Sequence, residues 1–214
     1  MQIAERTTSN LYKAEPLLLV EEISHRVMNE YAQAIAGLRS AACSITPEHA
    51  QATLVAAAAR LLSFAEAHRA LQAPLLKGEV ELAASLTRLC ETMSAARLQE
   101  RGIVLTLATA PVRLAADRCW RVTLIVSELI TNAMRHGLRG KPGSIRVEID
   151  VGDQATICRV VDDGGCAGLI RPGRGFDVVT GLASEIGGEV GWCFGPSGTS
   201  AELSFPTALP GLLS

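Results

Sequence analysis

Between Leu11 and Cys43 the chain gives a helix almost nowhere to stop. Apolar residues recur at helical spacing (Leu18, Ile23, Val27, Ala34, Leu38), no proline follows Pro16, and no glycine precedes Gly37. A helix of about seven turns is expected. The run Ser44, Ile45, Thr46, Pro47, Glu48 then supplies a stop and a restart. Thr46 can cap, Pro47 suits a first helical position, and Glu48 favours the positive helix end, so a second helix runs to about Leu71. An isolated antiparallel hairpin cannot bury apolar residues on all the faces these helices show. Pairing with a second copy into a four-helix bundle would bury them, so a homodimer is expected.

The proline and glycine between Gln72 and Gly78 interrupt this periodicity and divide the chain into residues 1–75 and 76–214. Glu79 to Gln99 reads as helical. Past Arg101 and Gly102 the period changes: Ile103 to Leu107 reads as a strand and Asp117 to about His136 as a helix. Ser144 to Val151 and Ala155 to Val161 read as a strand pair turning at Gly152 and Asp153. A helix over 176–187 and strands near 189–194 and 199–205 complete an α+β fold, a helical hairpin followed by a two-layer sandwich of helices on one sheet.

With 48% apolar and 20% charged residues the chain is globular, and a net charge of −2 gives no broad attraction to nucleic acid or an anionic membrane. The aliphatic run Leu17 to Val20 is far below the roughly 18–20 residues that cross a bilayer. The first sixteen residues lack the basic-then-apolar order of a signal peptide, so a cytoplasmic location is expected. The six cysteines form no C-x-x-C pair, which argues against zinc or redox motifs, and most are expected to be small buried apolar residues.

On the helix that begins near Asp117, Glu128 and Asn132 are four residues apart and share a face, as do Asn132 and His136, while Leu124, Ile125, Leu129 and Met134 point to the core. An asparagine oxygen suits Mg2+, which takes few protein ligands beside water and phosphate. Glu128 can hold a metal-bound water or act as a base. A solvated polar stripe is the plainer interpretation. Asp162 and Asp163 stand at a strand end before Gly164 and Gly165, where an aspartate can accept a hydrogen bond from an adenine amino group; a surface turn is the plainer alternative. Gly173, Arg174 and Gly175 open the next helix, whose first N–H groups attract phosphate. The hydroxyl of Thr199, if buried near an adenine, needs a partner such as Asp162. Far upstream, His25 has Glu21, Glu22 and Asn29 within a helical turn, and a neutral imidazole near pH 7 can attack phosphorus. His49 and His68 are expected to be ordinary hydrogen-bonded surface residues.

Residues 19–29, with Glu22 and the run His25, Arg26, Val27, Met28, Asn29, resemble the phospho-acceptor helix of the H-R-V-x-N class of sensor histidine kinases. Arg60 to Arg69 resembles the second helix of that hairpin. Residues 120–206 are similar to the ATPase domain shared by histidine kinases, gyrase and their relatives. The resemblance implies that His25 takes the phosphoryl group, with Glu22 as helper carboxylate. It implies Asn132 as the Mg2+ ligand with Glu128 one turn before, Arg135 as a phosphate contact, Asp162 and Gly164 at the adenine, Gly173 and Gly175 in the second glycine box, and Thr199 in the terminal Gly-Thr pair.

This chain departs from the pattern at Cys166, where a glycine is usual, and in the few residues from Leu169 to Pro172 that remain of the loop over the triphosphate. Arg171 and Arg174 are candidates to replace that loop at the phosphates. The expected activity is a soluble protein-histidine kinase that uses ATP and Mg2+, phosphorylates His25 and passes the group to a response-regulator aspartate. Input would come from an upstream sensory protein. A histidine phosphotransferase with a degenerate ATPase domain is the alternative, and a non-catalytic regulatory binding module is the third.

Overall fold

The computed structural model describes residues 27–46, 48–72, 78–165 and 174–207, and the chain forms two compact units, Met1–Ala73 and Pro74–Ser214. In the first, helix α1 (described over residues 27–44) and helix α2 (Glu48–Ala70) form a hairpin. Its antiparallel sense is marked by Tyr31, early in α1, and His68, late in α2, whose rings stand 6.4 Å apart. Ile35, Ala42, Ala58 and Ala65 are buried between the helices, while Val55 and Leu62, seven residues apart on α2, remain exposed. His25 and Glu22 lie outside the described residues.

The second unit opens with a difference from expectation. Glu79–Glu81 is not helical but a short strand, β1, paired antiparallel with β3 (Arg113–Ala115); the Leu82 N–H also bonds the Val112 carbonyl at 3.0 Å. Partners more than thirty residues away override the local helical pattern, and neither strand is legible in a short window. Helix α3 (Leu82–Met93) follows, then a π turn (Ser94–Leu98) and a 3-10 turn (Gln99–Arg101), closed by Gly102 at φ +67°.

A five-stranded sheet carries the rest: β2 (Ile103–Thr109), β4 (Gly143–Val151), β5 (Ala155–Asp162), β6 (Glu189–Gly195) and β7 (Gly198–Pro206), in spatial order β2-β4-β5-β7-β6. Only β2 and β4 are parallel. Alternation along the strands turns Ile145, Val147, Cys158, Val160, Leu203 and Phe205 toward α3, α4 (Ala116–Asn132) and α5 (Arg174–Glu185). The opposite face carries ion pairs of Arg146 with Glu148 and of Arg159 with Asp150 and Glu202.

Leu82, Leu86, Leu89, Val122, Ile125, Val126, Leu129 and Ile130 complete this core from the helices, and each such side chain contributes about 1.5–3 kcal/mol by leaving water. Buried Arg118 of α4 lies over the Phe205 ring, 5.1 Å from its centroid, and donates to the carbonyls of Ile186 and Pro206, tying α4 to the far ends of α5 and β7. Burial raises two core thiols from an ordinary 9.0, Cys90 to about 11 and Cys158 to about 12.

Candidate functional site

The site is built along one helix and its exit. Glu128 and Asn132 are partly buried on α4, which runs into a π turn (Ala133–Gly137) where the Leu138 N–H bonds the Ala133 carbonyl at 2.8 Å. The wider turn brings Gly137 onto the end of β5. A Cβ at Gly137 would fall on the Asp162 carboxylate, one at Gly164 on the Gly137 carbonyl, and one at Gly198 on the Asp162 carbonyl. Three backbones therefore close around one aspartate because none of them carries a side chain. Gly137 has no role legible in the sequence; its only signal is that it directly follows His136, where the expected helix ends.

The strand alternation that buries Val160 also buries Asp162, which is 3% exposed. It accepts the Gly164 N–H at 3.0 Å and a backbone bond from Thr199, its partner across β5 and β7. Burial pushes its pKa up from the ordinary value, and the two N–H donors pull against that shift. Asp163 points the other way. It is exposed and accepts the Ser144 N–H at 2.8 Å and the Ser144 hydroxyl at 2.7 Å, bonds that hold its pKa below the ordinary value. The plain surface turn thus describes Asp163 and not Asp162.

The Thr199 hydroxyl is buried with no hydrogen-bond partner. Beside a buried carboxylate, that orphan group asks for a ligand with donors and acceptors on one edge, which an adenine or a bridging water provides. At the other end of the helix face, the Glu128 carboxylate lies where a Cβ of Gly175 would be, against the first turn of α5. Phe176 of that turn stacks on Trp192 of β6 with centroids 4.3 Å apart.

Asp162, Gly164 and Thr199 are therefore brought together, as are Glu128 and Gly175. Asn132 lies one turn beyond Glu128 at the end of α4, and Arg135 is exposed. Gly173, Arg171, Cys166 and the Arg174 side chain lie outside the described residues. Among the described residues no cluster of three or more His, Cys, Asp or Glu side chains could hold a metal. A cation at Asn132 would draw most of its ligands from phosphate and water, as Mg2+ does. A cavity of about 530 Å3 between α3 and β2, lined by Thr87, Cys90, Glu91, Leu105 and Leu107 among others, contains none of these residues.

Two family models match the chain: one described as "Histidine kinase" over residues 22–97 and one described as "Histidine kinase-like ATPase domain" over 86–191. Among solved structures, the histidine kinase domain of the Erythrobacter litoralis blue-light activated histidine kinase EL346 matches with TM-score 0.57 and 20% identity, over 84% of this chain and 96% of that one. The chain spans 62% of the longer EL346 structure. Acinetobacter baumannii histidine kinase AdeS matches at TM-score 0.53 and 19% identity, over 86% of this chain and 95% of that one. Full-length ShkA in complex with AMPPNP matches at 0.52 and 20%, over 90% of this chain and 45% of that one. At these identities the likeness is one of fold. No curated protein matches.

Proposed function

Because the chain belongs to the histidine kinases, we propose that it moves the γ-phosphoryl group of ATP to His25 and then to an aspartate of a response-regulator receiver domain. The observation that carries this reading is the enclosed pair of a buried Asp162 carboxylate and an unpartnered Thr199 hydroxyl, ringed by Gly137, Gly164 and Gly198. A buried acceptor held by backbone N–H groups suits an exocyclic amine. It needs no reorganisation to receive one.

Asn132 is the residue that would hold Mg2+ through its amide oxygen, and the bound ion supplies charge neutralisation on the phosphates. Arg135 and the backbone at Gly173 and Gly175 would orient the phosphate oxygens. The His25 imidazole attacks the γ-phosphorus in line as the neutral species, the bond to the β,γ-bridging oxygen breaks and ADP leaves, and Glu22 is the carboxylate that takes the imidazole proton. Two hairpins pair through apolar faces such as the one bearing Val55 and Leu62, which are 53% and 39% exposed. No helix among the described residues is long and apolar enough to cross a membrane, and a soluble, cytoplasmic kinase is the form we propose, its input arriving from an upstream sensory protein.

The test is incubation of the chain with γ-labelled ATP and Mg2+, beside His25→Ala and Asn132→Ala. Acid-labile label on the wild type alone is expected. A wild type that stays unlabelled yet takes phosphate from a phosphorylated receiver domain would make the chain a phosphotransferase, and failure of both would leave a binding module.

A further inference from the structure

Gly175 is a glycine for a reason its own backbone does not give. Its φ lies outside the left-handed region, and it sits inside the first turn of α5, where glycine costs about 1 kcal/mol relative to alanine. The position lacks room. The nearest atom to an added Cβ is Oε1 of Glu128, with Cδ at 3.2 Å and Cγ at 3.6 Å. The first N–H groups of a helix have no acceptor within the helix, and that end favours negative charge. The Glu128 carboxylate of α4 is laid against that turn, and Phe176 of the same turn stacks on Trp192 of β6.

We propose that Glu128 acts as a positioning residue: its carboxylate seats the first turn of α5 against α4, and Gly175 is the glycine that makes room for it. The pair then sets where the phosphate-facing start of α5 stands relative to Asn132, one turn along the same α4 face. This role rests on the nucleotide reading for its consequence and not for its geometry. It differs from a base or a holder of metal-bound water, for which the residue type alone is suited.

The experiment is a double-mutant cycle in the full chain with Glu128→Ala, Gly175→Ala and the double variant, plus Glu128→Gln and the exposed-site control Val178→Ser. Equilibrium affinity for Mg2+ and a non-hydrolysable ATP analogue is measured, together with KM and kcat for labelling of His25. In the wild-type background Gly175→Ala should weaken nucleotide binding roughly tenfold. In the Glu128→Ala background it should cost about threefold or less, because the group it collides with is gone. Glu128→Gln, whose amide oxygen keeps the place, should recover most of the affinity that Glu128→Ala loses, and Val178→Ser should match wild type. A Gly175→Ala loss of equal size in both backgrounds overturns the proposal. So does a Glu128→Gln variant with unchanged affinity and kcat as low as Glu128→Ala, the signature of a proton acceptor. Coupled affinities without any label on His25 would sink the kinase reading alone, whereas additive affinities with labelling intact would sink this inference alone.

Discussion

Asp162 and Asp163 are neighbours with opposite titration behaviour: burial at the end of β5 raises the first, and the two bonds from Ser144 lower the second. For Asp163 the folded-state pKa is depressed, so its contribution to stability is present above the unfolded value near 3.8 and is lost as pH falls through the folded one. For Asp162 the folded value is raised. Its ionised form costs stability above the unfolded value, and acid relieves that cost. Asp163→Asn should therefore lower the urea midpoint at pH 6 and draw level with wild type as the pH is taken below the ordinary carboxylate range. Thr199→Val should separate stability from binding. Its hydroxyl has no partner to lose, so unfolding free energy is expected to stay within about 1 kcal/mol or rise. Calorimetry should show adenine nucleotide affinity falling severalfold. Asp162→Asn loses a charge-assisted bond and is expected to bind ATP roughly ten- to a hundredfold more weakly in the same assay.

At the level of elements, strong periodicity was readable and pairing at a distance was not. The strands ending at Val151 and beginning at Ala155 show their alternation locally, and the expected helix from Asp117 to about His136 corresponds to α4 and its π turn. By contrast, β1 and β3 are three residues each and exist because each satisfies the other. The π turn at Ala133–Gly137 has no composition of its own, and it carries Gly137 against Asp162, more than twenty residues away. The site divides in the same way: Asp162 and Asn132 announce themselves by residue type and position, while the seat of Glu128 on Gly175 requires two helices to be packed. The anchoring of Arg118 is equally illegible locally, because its carbonyl acceptors are 68 and 88 residues away. Arg118→Met strands those carbonyls and should cost about 2–3 kcal/mol in urea unfolding.

For the whole molecule the question is what completes the hairpin. Among its described residues few large side chains are buried, and Val55 and Leu62 stay exposed on a common face of α2. Charge placed there by Val55→Glu with Leu62→Glu should convert the proposed dimer to monomers in sedimentation equilibrium, with no loss of fold in the second unit. The cysteines offer a different handle on that unit. A thiol reagent reacts with the thiolate, so Cys43 and Cys193, both exposed, should be consumed at once. Cys158, wholly enclosed and with its pKa near 12, waits until strands part. The slow phase of such a titration would act as a stopwatch sealed inside the sheet, timing how often the interior breathes and whether ATP makes it breathe less.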